Sequence, residues 1–376
     1  MAHSDMDDNY PDTYESARER FRLSLSLLTP KWPGAQPENH PLSANPALTI
    51  DWVWAEPQQK KNLVILSTGE HGIEGYVGAA MMKVFIEEFA PRLDVQYTGL
   101  LLIHAINPWG MKRRRKVNEN NVDLNRNFIF DGNFDPTINL DYKTLDFLLT
   151  PQRPVGTQLQ ENLSFGGRVL RALFTLGIRR VSTASLLGQY HTPHGFFYGG
   201  QQRQESAILL TRLYRRALET YEQIIQIDIH SGYGPREQMS IIIPPVETVS
   251  SAEFSRRFNY PLVQKINAEE FYAISGDMGE YVYRLAQAHF PPKQLFVCSF
   301  EFGAFGASLP ARIRSLRAMV LENQLYWHGA VCDSAAQAVR QEFDELYFPA
   351  DLKWRAKALA DGRQAFEGIL RAYDLI

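Results

Sequence analysis

The sequence lacks the features that mark several specialised classes of protein. Only two cysteines, Cys298 and Cys332, occur in 376 residues, which gives no disulfide framework. No apolar run approaches the roughly 20 residues that a membrane-spanning helix needs, and no internal repeat or low-complexity tract is present. The N-terminus, MAHSDMDDNYPDTYESARERF, lacks the basic start and apolar stretch of a signal peptide. We therefore expect a cytoplasmic protein.

The chain also has little net charge. Its 39 basic and 42 acidic side chains leave a formal charge of −3, so no global field draws it to nucleic acid or to an anionic membrane. The basic run KRRRK at residues 112–116 is a local exception, but it contains no aromatic residue that would favour a nucleic-acid surface. We expect neither nucleic acid nor a membrane as a partner, and the oligomeric state is not visible in the sequence.

What the sequence does contain is an alternation of short strands and helices. Apolar runs rich in Ile, Leu and Val suit central strands that helices cover on both faces. Strands are predicted at 48–55, 62–67, 97–106, 224–230, 240–245 and 294–303, and a helix at 73–90. The pattern predicts an α/β protein, a three-layer α/β/α sandwich with a mixed, largely parallel central sheet.

Three regions of the chain differ in composition. Residues 1–45 contain one possible helix and then a stretch with several prolines, which predicts an irregular wrapping segment. Residues 46–376 carry the predicted strands and form the main domain. Within it, residues 133–222 hold few strands and at least two amphipathic helices. We interpret that stretch as an insertion over one edge of the sheet and not as an independent domain.

Two histidines follow the ends of predicted strands. STGEHGIEGYVG places His71 and Glu74 three residues apart, and side chains at that spacing share one face of a helical turn. They either share a metal ion or form an ordinary solvated pair. His230, in IDIHSG, is either a third metal ligand or a histidine that hydrogen-bonds a loop. Ligands of open α/β sheets bind at the carboxyl ends of strands, which favours the metal.

Two further segments carry groups with specific chemistry. In VDLNRNF, Asp123 can accept the second N–H of a metal-bound histidine. Asn125 and Arg126 are adjacent planar groups, and an arginine can grip a carboxylate through two parallel hydrogen bonds. Glu301 lies inside the apolar run LFVCSFEFGAF, where a carboxylate is costly to bury without a partner or a role. A polar loop and a strand-end salt bridge are the plain alternatives.

In order and content these motifs resemble the zinc carboxypeptidase superfamily. The resemblance rests on H-x-x-E, N-P-x-G, a basic residue, V-D-L-N-R-N-F, D-x-H-S and a late F-E, which together span residues 69–301. STGEHGIEG, VNENNVDLNRNF, GQYHTPHGFFYGG and IDIHSGYG look closest to a bacterial branch of the superfamily.

The resemblance implies roles for particular residues. Zinc would be the cofactor, held by three ligands: His71, Glu74 and His230. Glu301 matches the carboxylate that activates the attacking water and shuttles its proton. Asn125 and Arg126 match the pair that holds the terminal carboxylate of the substrate. Glu70 adds a carboxylate beside the first histidine, so the sequence leaves one metal or two open.

Two assignments are looser. The superfamily places an arginine upstream of V-D-L-N-R to stabilise the oxyanion, and we predict Arg115 for this role. The alternatives are Arg114 and Lys116. Tyr272, before a Gly-containing turn, is predicted as the tyrosine on the substrate side. Two other tyrosines compete with it: Tyr281 and Tyr283.

The activity that the resemblance implies is zinc-dependent hydrolysis of an amide bond next to a terminal carboxylate. A metallocarboxypeptidase acting on small peptides is the principal expectation. An N-acyl amino acid deacylase of the aspartoacylase or succinylglutamate desuccinylase type is the alternative, since both substrates carry a carboxylate. A non-catalytic zinc-containing binding module is the third possibility, and the presence of Glu301 argues against it.

Overall fold

A computed structural model describes residues 9–265 and 275–376. Its strands are β1 (Gln36–Leu42), β2 (Asn45–Ala55), β3 (Asn62–Thr68), β4 (Thr98–His104), β5 (Gln223–Gly232), β6 (Ser240–Ile243), β7 (Val263–Lys265) and β8 (Gln294–Gly303). They form one sheet in the order β1-β2-β4-β3-β5-β8-β6-β7. The pairs β3/β4, β3/β5, β5/β8 and β6/β7 are parallel, and the other three pairs are antiparallel.

Helices surround this sheet. They are α1 (Tyr14–Leu23), α2 (Leu25–Leu28), α3 (Gly75–Val84), α4 (Pro108–Arg113), α5 (Leu140–Thr144), α6 (Asp146–Leu149), α7 (Gln158–Ala184), α8 (Glu205–Thr220), α9 (Ser251–Phe258), α10 (Met278–His289), α11 (Leu309–His328), α12 (Asp333–Tyr347) and α13 (Leu352–Ala372). Every residue of β4 is buried, and successive side chains point to opposite faces. Both faces of the sheet are therefore covered, and the predicted mixed α/β sandwich is confirmed.

The central strand β5 shows how the sequence positions a site. Its side chains alternate between the two faces, so Gln226, Asp228 and His230 share one face while the intervening isoleucines pack on the other. His230 pairs in register with Glu301 of β8. Parallel pairing thus brings two polar residues side by side near the carboxyl ends of adjacent strands.

The chain leaves β3 through Gly69, a position whose backbone conformation favours glycine. Gly69 has a φ of +70°, and a Cβ there would lie 3.1 Å from the Cα of Ala105. The turn leads into a 3-10 turn (Gly72–Glu74), α3, a π turn (Phe85–Phe89) and a second 3-10 turn (Ala90–Arg92). The helix predicted for residues 73–90 therefore exists as a helical stretch of changing pitch.

The N-terminal segment is more ordered than its composition predicts. A capping box between Thr13 and Ser16 begins α1. Residues 36–42, expected to wrap irregularly, form the edge strand β1 against β2. Prolines are tolerated in an edge strand because one side of it makes no ladder hydrogen bonds. The sheet therefore begins before residue 46.

The region 133–222 contains α5, α6, α7 and α8. Its buried side chains, such as Tyr142, Leu148 and Phe165, belong to the same hydrophobic core as the strands. Among the residues that are described, no helix is long and apolar enough to cross a bilayer.

Candidate metal centre

One 3-10 turn carries the first two predicted ligands. His71 precedes the turn and Glu74 ends it, and side chains three residues apart in a 3-10 turn lie one above the other. Nδ1 of His71 is 2.9 Å from Oε1 of Glu74. Nδ1 of His230 is 3.1 Å from the other carboxylate oxygen, and the two imidazole rings are 5.1 Å apart. The structure brings the three residues together.

These three residues fit a metal ion. Each offers one ligand atom, the three atoms lie within 4.8 Å of one another, and all three residues are buried. Two imidazole nitrogens and a carboxylate oxygen form a donor set that zinc accepts, with a position left open. The backbone N–H of Ser231 donates to Oε2 of Glu74 at 2.9 Å, which fixes the orientation of the carboxylate.

In each histidine, Nδ1 faces Glu74 and a second carboxylate lies beside Nε2. Nε2 of His71 lies 3.0 Å from Oδ1 of Asp123, the contact that VDLNRNF predicts. Nε2 of His230 lies 2.5 Å from Oδ2 of Asp228, and Asp228 also accepts a hydrogen bond from the Ser67 hydroxyl at 2.5 Å. A carboxylate on Nε2 leaves Nδ1 free for a metal.

The predicted site does not include Asp228, although the spacing of Asp228 and His230 on a strand could have indicated it. Two residues before His230 on a strand, it must lie on the same face as the histidine. Glu70 also reaches this point, with Oε2 3.5 Å from Nε2 of His230. Burial and the neighbouring Asp228 raise the pKa of Glu70 to about 8. Glu70, Asp228 and His230 form a second possible ligand group, which shares the histidine with the first.

The electrostatics of the centre favour a positive charge. Burial opposes ionisation of Glu74, but His71 and the hydrogen bonds from both imidazoles hold the pKa of Glu74 below its usual range. Burial lowers the pKa of His230, but Asp228 and Glu74 outweigh that effect and raise the pKa well above its ordinary value. Both shifts arise because several carboxylates surround two imidazoles. A bound cation would be stabilised by the same groups.

Glu301 lies beside the ligands and remains partly exposed. Its Oε1 accepts a hydrogen bond of 3.0 Å from the backbone N–H of Tyr233. Burial and the nearby Glu74 carboxylate raise the pKa of Glu301 to about 7. A carboxyl group with a pKa close to neutrality can both accept a proton and return it.

The structure does not bring Arg115 to the predicted metal ligands. Nε of Arg115 donates to Oε1 of Glu322 at 2.6 Å, and its guanidinium lies 3.6 Å from the centroid of the Tyr326 ring. Lys116 points the other way, so that Nζ contacts Nε2 of His71 and lies 3.5 Å from a carboxylate oxygen of Asp123. Among the alternatives that the sequence leaves open for the oxyanion, the residue beside the ligands is Lys116.

The backbone explains this difference between neighbours. Arg114 adopts a left-handed conformation with a φ of +53° and ends α4. The next two carbonyls, of Arg115 and Lys116, accept hydrogen bonds from the N–H groups of Ile73 and Gly72. The stretch therefore runs alongside the turn that carries His71 and Glu74, and consecutive side chains point to opposite sides. Within a run of basic residues, the sequence does not indicate which arginine adopts the left-handed conformation.

Arg126 ends the 3-10 turn Leu124–Arg126. Its two Nη atoms donate to the carbonyls of Asn125 and Leu186, both at 2.9 Å, and its guanidinium lies 4.8 Å from the centroid of the Phe197 ring. Its buried Nε has no hydrogen-bond partner among the described residues. Oδ1 of Asn125 accepts from the N–H of Met278 at 3.0 Å. A donor left unpaired in this way is suited to an acceptor on a ligand.

Tyr272 lies outside the described residues, so its role stays a prediction. The hydroxyl of Tyr281 accepts from Arg203 at 3.2 Å, and that of Tyr283 donates to Glu247 at 2.8 Å. Both competing tyrosines are buried. Their hydroxyls are therefore engaged within the fold.

A comparison with protein families identifies the chain. The sequence profile of the family described as "Protein of unknown function (DUF2817)" matches residues 10–361, so the chain belongs to this family. No curated protein matches the sequence significantly.

Solved structures similar to this chain include carboxypeptidase A from Helicoverpa armigera, at 13% identity and a TM-score of 0.42, covering 84% of this chain and 71% of that one. Bovine thrombin-activatable fibrinolysis inhibitor has 15% identity and a TM-score of 0.46, with 86% and 97% covered. Succinylglutamate desuccinylase from Chromobacterium violaceum has 13% identity and a TM-score of 0.36, with 80% and 72% covered.

Proposed function

We propose that this chain is a zinc-dependent hydrolase that cleaves an amide bond next to a terminal carboxylate, acting as a metallocarboxypeptidase on small peptides. The observation that carries the proposal is the convergence of His71, Glu74 and His230 on one point, with Glu301 beside them at the carboxyl end of β8. Three protein ligands that leave a coordination position open, with a separate, partly exposed carboxylate beside them, suit metal-assisted hydrolysis.

The three ligands would hold zinc through the Nδ1 atoms of the histidines and the carboxylate of Glu74. When bound there, zinc supplies Lewis-acid activation of water and of the scissile carbonyl. Asp123 and Asp228 hold the rings of His71 and His230 in the orientation this needs.

Glu301 is proposed as the general base and then the general acid. It takes the proton of the attacking water and returns it to the leaving amine, while the N–H of Tyr233 keeps the carboxylate in place. We propose Lys116, in place of Arg115, as the cation that stabilises the negative charge developing on the carbonyl oxygen. Of the three candidates, Lys116 is the one whose charged group contacts a proposed ligand, His71.

Arg126 and Asn125 are proposed to hold the terminal carboxylate. The guanidinium is fixed by two backbone carbonyls and by Phe197, and its buried Nε still lacks a partner among the described residues. A carboxylate oxygen can satisfy that donor. Recognition of this kind requires a substrate with a free acid at its end.

The test uses matched pairs of N-blocked dipeptides that end in a free acid or an amide. We expect cleavage of the free acids and poor cleavage of the amides. Arg126→Lys keeps the charge but loses the planar fork, so its turnover of the free acids should fall while that of the amides stays low. Equal turnover of both forms by the parent would point to an endopeptidase or an esterase. Cleavage confined to N-acyl amino acids would establish the deacylase alternative.

A further inference from the structure

Helix α7 carries an apolar stripe that no described part of the chain covers. Leu159, Leu163, Leu170 and Phe174 are 69%, 71%, 59% and 88% exposed. Their spacing places all four on one face of the helix. Single exposed leucines are common on protein surfaces, but several large apolar side chains on one face of a helix mark an interaction surface.

Two glycines lie at the middle of this stripe. A Cβ added to Gly166 or Gly167 would meet nothing within 4 Å, so no packing among the described residues requires glycine there. Glycine in the middle of a helix costs stability. What adjacent glycines do provide is a surface on which a second backbone can approach closely.

The stripe is symmetric about these glycines. From Leu159 the steps to Leu163, Gly166, Gly167, Leu170 and Phe174 are 4, 3, 1, 3 and 4 residues, the same from either end. If two copies of α7 cross antiparallel at the glycines, Leu159 of each copy faces Phe174 of the other, and Leu163 faces Leu170. A twofold interface needs this kind of self-complementary surface.

The charges on α7 are compatible with such a pair. In the same register Arg171 faces Asn162 of the second copy, and the two Arg171 residues are about 13 Å apart along the axis, at 1.5 Å per residue. That exceeds the Debye length of about 8 Å at physiological ionic strength. Glu161, the only acidic residue of the helix, is bound by Arg153 at 2.6 Å. The backbone breaks at Gly177, with a φ of +74°, which ends the straight part of the helix.

We propose that the partner of this face is a second copy of the chain, and that the protein forms a twofold dimer through antiparallel packing of α7. The inference is independent of the proposed activity. It rests on the apolar stripe, its symmetry and the two glycines at its centre.

The first test measures the mass in solution by light scattering coupled to gel filtration. The parent is expected at twice the chain mass of 43.0 kDa. Leu170→Glu should weaken the dimer at least roughly tenfold and elute as a monomer with an unchanged melting transition. Leu27→Glu, at a 52% exposed leucine of α2, is the matched control and should remain a dimer. A monomeric parent, or a Leu170→Glu dimer as tight as the parent, would overturn the proposal.

The second test reads the register by disulfide formation, in a Cys332→Ser background because Cys332 is exposed. Gly167→Cys lies next to the proposed axis and should cross-link with itself on oxidation. Leu159→Cys should not cross-link with itself, but a mixture with Phe174→Cys chains should give the mixed dimer. Efficient self-linkage of Leu159→Cys would show parallel packing and contradict the antiparallel arrangement.

Discussion

The candidate metal centre and the region 133–222, interpreted as an insertion, are built in contrasting ways. In the centre, buried polar groups such as Glu74, His230 and Asp228 are held by strand register and by hydrogen bonds from side chains and backbone. In the insertion, α7 presents leucines and glycines to the surface. Catalysis needs fixed distances between the reacting side chains, and paired parallel strands supply them. Recognition of partners and substrates needs surfaces that can vary in sequence without changing those distances.

The two regions meet at Arg126. The guanidinium of Arg126 donates to the carbonyl of Leu186, and the hydroxyl of Tyr190 donates to the backbone carbonyl of Arg126 at 2.8 Å. Gly188 lies so close that a Cβ there would be 2.6 Å from Cδ of Arg126. In the proposed enzyme the sheet would position the reacting groups, and the insertion would position the group that recognises the carboxylate.

Removal of a proposed metal ligand should abolish the function of the candidate metal centre completely. His230→Ala is expected to lose most of the bound zinc and all measurable activity, as the parent should with a chelator, because two ligands from one turn bind zinc weakly. Metal content is measured by mass spectrometry of the purified protein. His194→Ala, at a histidine that packs on Trp327, is the control and should keep its zinc. Full zinc retention by His230→Ala would rule out the site.

Glu301→Gln should separate chemistry from binding. The amide is nearly isosteric but cannot take a proton, so kcat should fall by about 10²–10⁴-fold with zinc content and melting temperature nearly unchanged. KM should change little, since Asn125 and Arg126 are untouched. Near-parental kcat with zinc in place would mean that another residue is the base.

Lys116 and Arg115 provide a comparison between adjacent residues. Lys116→Met should reduce kcat by about 10²–10³-fold. Asp123 keeps its contact with His71 in this variant, so the melting temperature should stay close to that of the parent. Arg115→Met leaves Glu322 without its ion-pair partner and should lower the free energy of unfolding by about 3 kcal/mol, with kcat largely retained. The reverse pattern would return the oxyanion role to Arg115.

Tyr190→Phe tests the contact between the insertion and Arg126. The change removes the hydroxyl's contacts with the carbonyl of Arg126 and with Ser275. It should cost about 1 kcal/mol of unfolding free energy and raise KM up to roughly fivefold, the equivalent of about 1 kcal/mol of binding. Tyr142→Phe, which removes a contact with Thr150 at 3.3 Å in the same insertion, should cost similar stability and leave KM unchanged. Equal KM values for the two variants would show that Tyr190 does not position Arg126.

The inner strands, and the proximity of His71, Glu74 and His230 near the strand ends, could be predicted from sequence because burial on both faces gives a strong apolar pattern that locates those ends. The edge strands β1 and β7 could not, since β1 is polar with two prolines and β7 has three residues. Arg115 and Lys116 could not be distinguished because the choice depends on one left-handed residue, Arg114. The symmetric apolar stripe of α7 could not be recognised from sequence, because only the structure shows which face of that helix is exposed to solvent.

The register between β5 and β8 has a consequence for how the protein folds. Ligands from positions 71, 74 and 230, and the carboxylate at 301, come together only after distant strands have paired, and such long-range pairing is slow. A zinc ion would therefore find its full set of proposed ligands only in the completed sheet. Because it would bind the folded chain far better than the unfolded one, zinc should stabilise the native state by mass action, and its availability during synthesis would help decide how much of the chain remains folded.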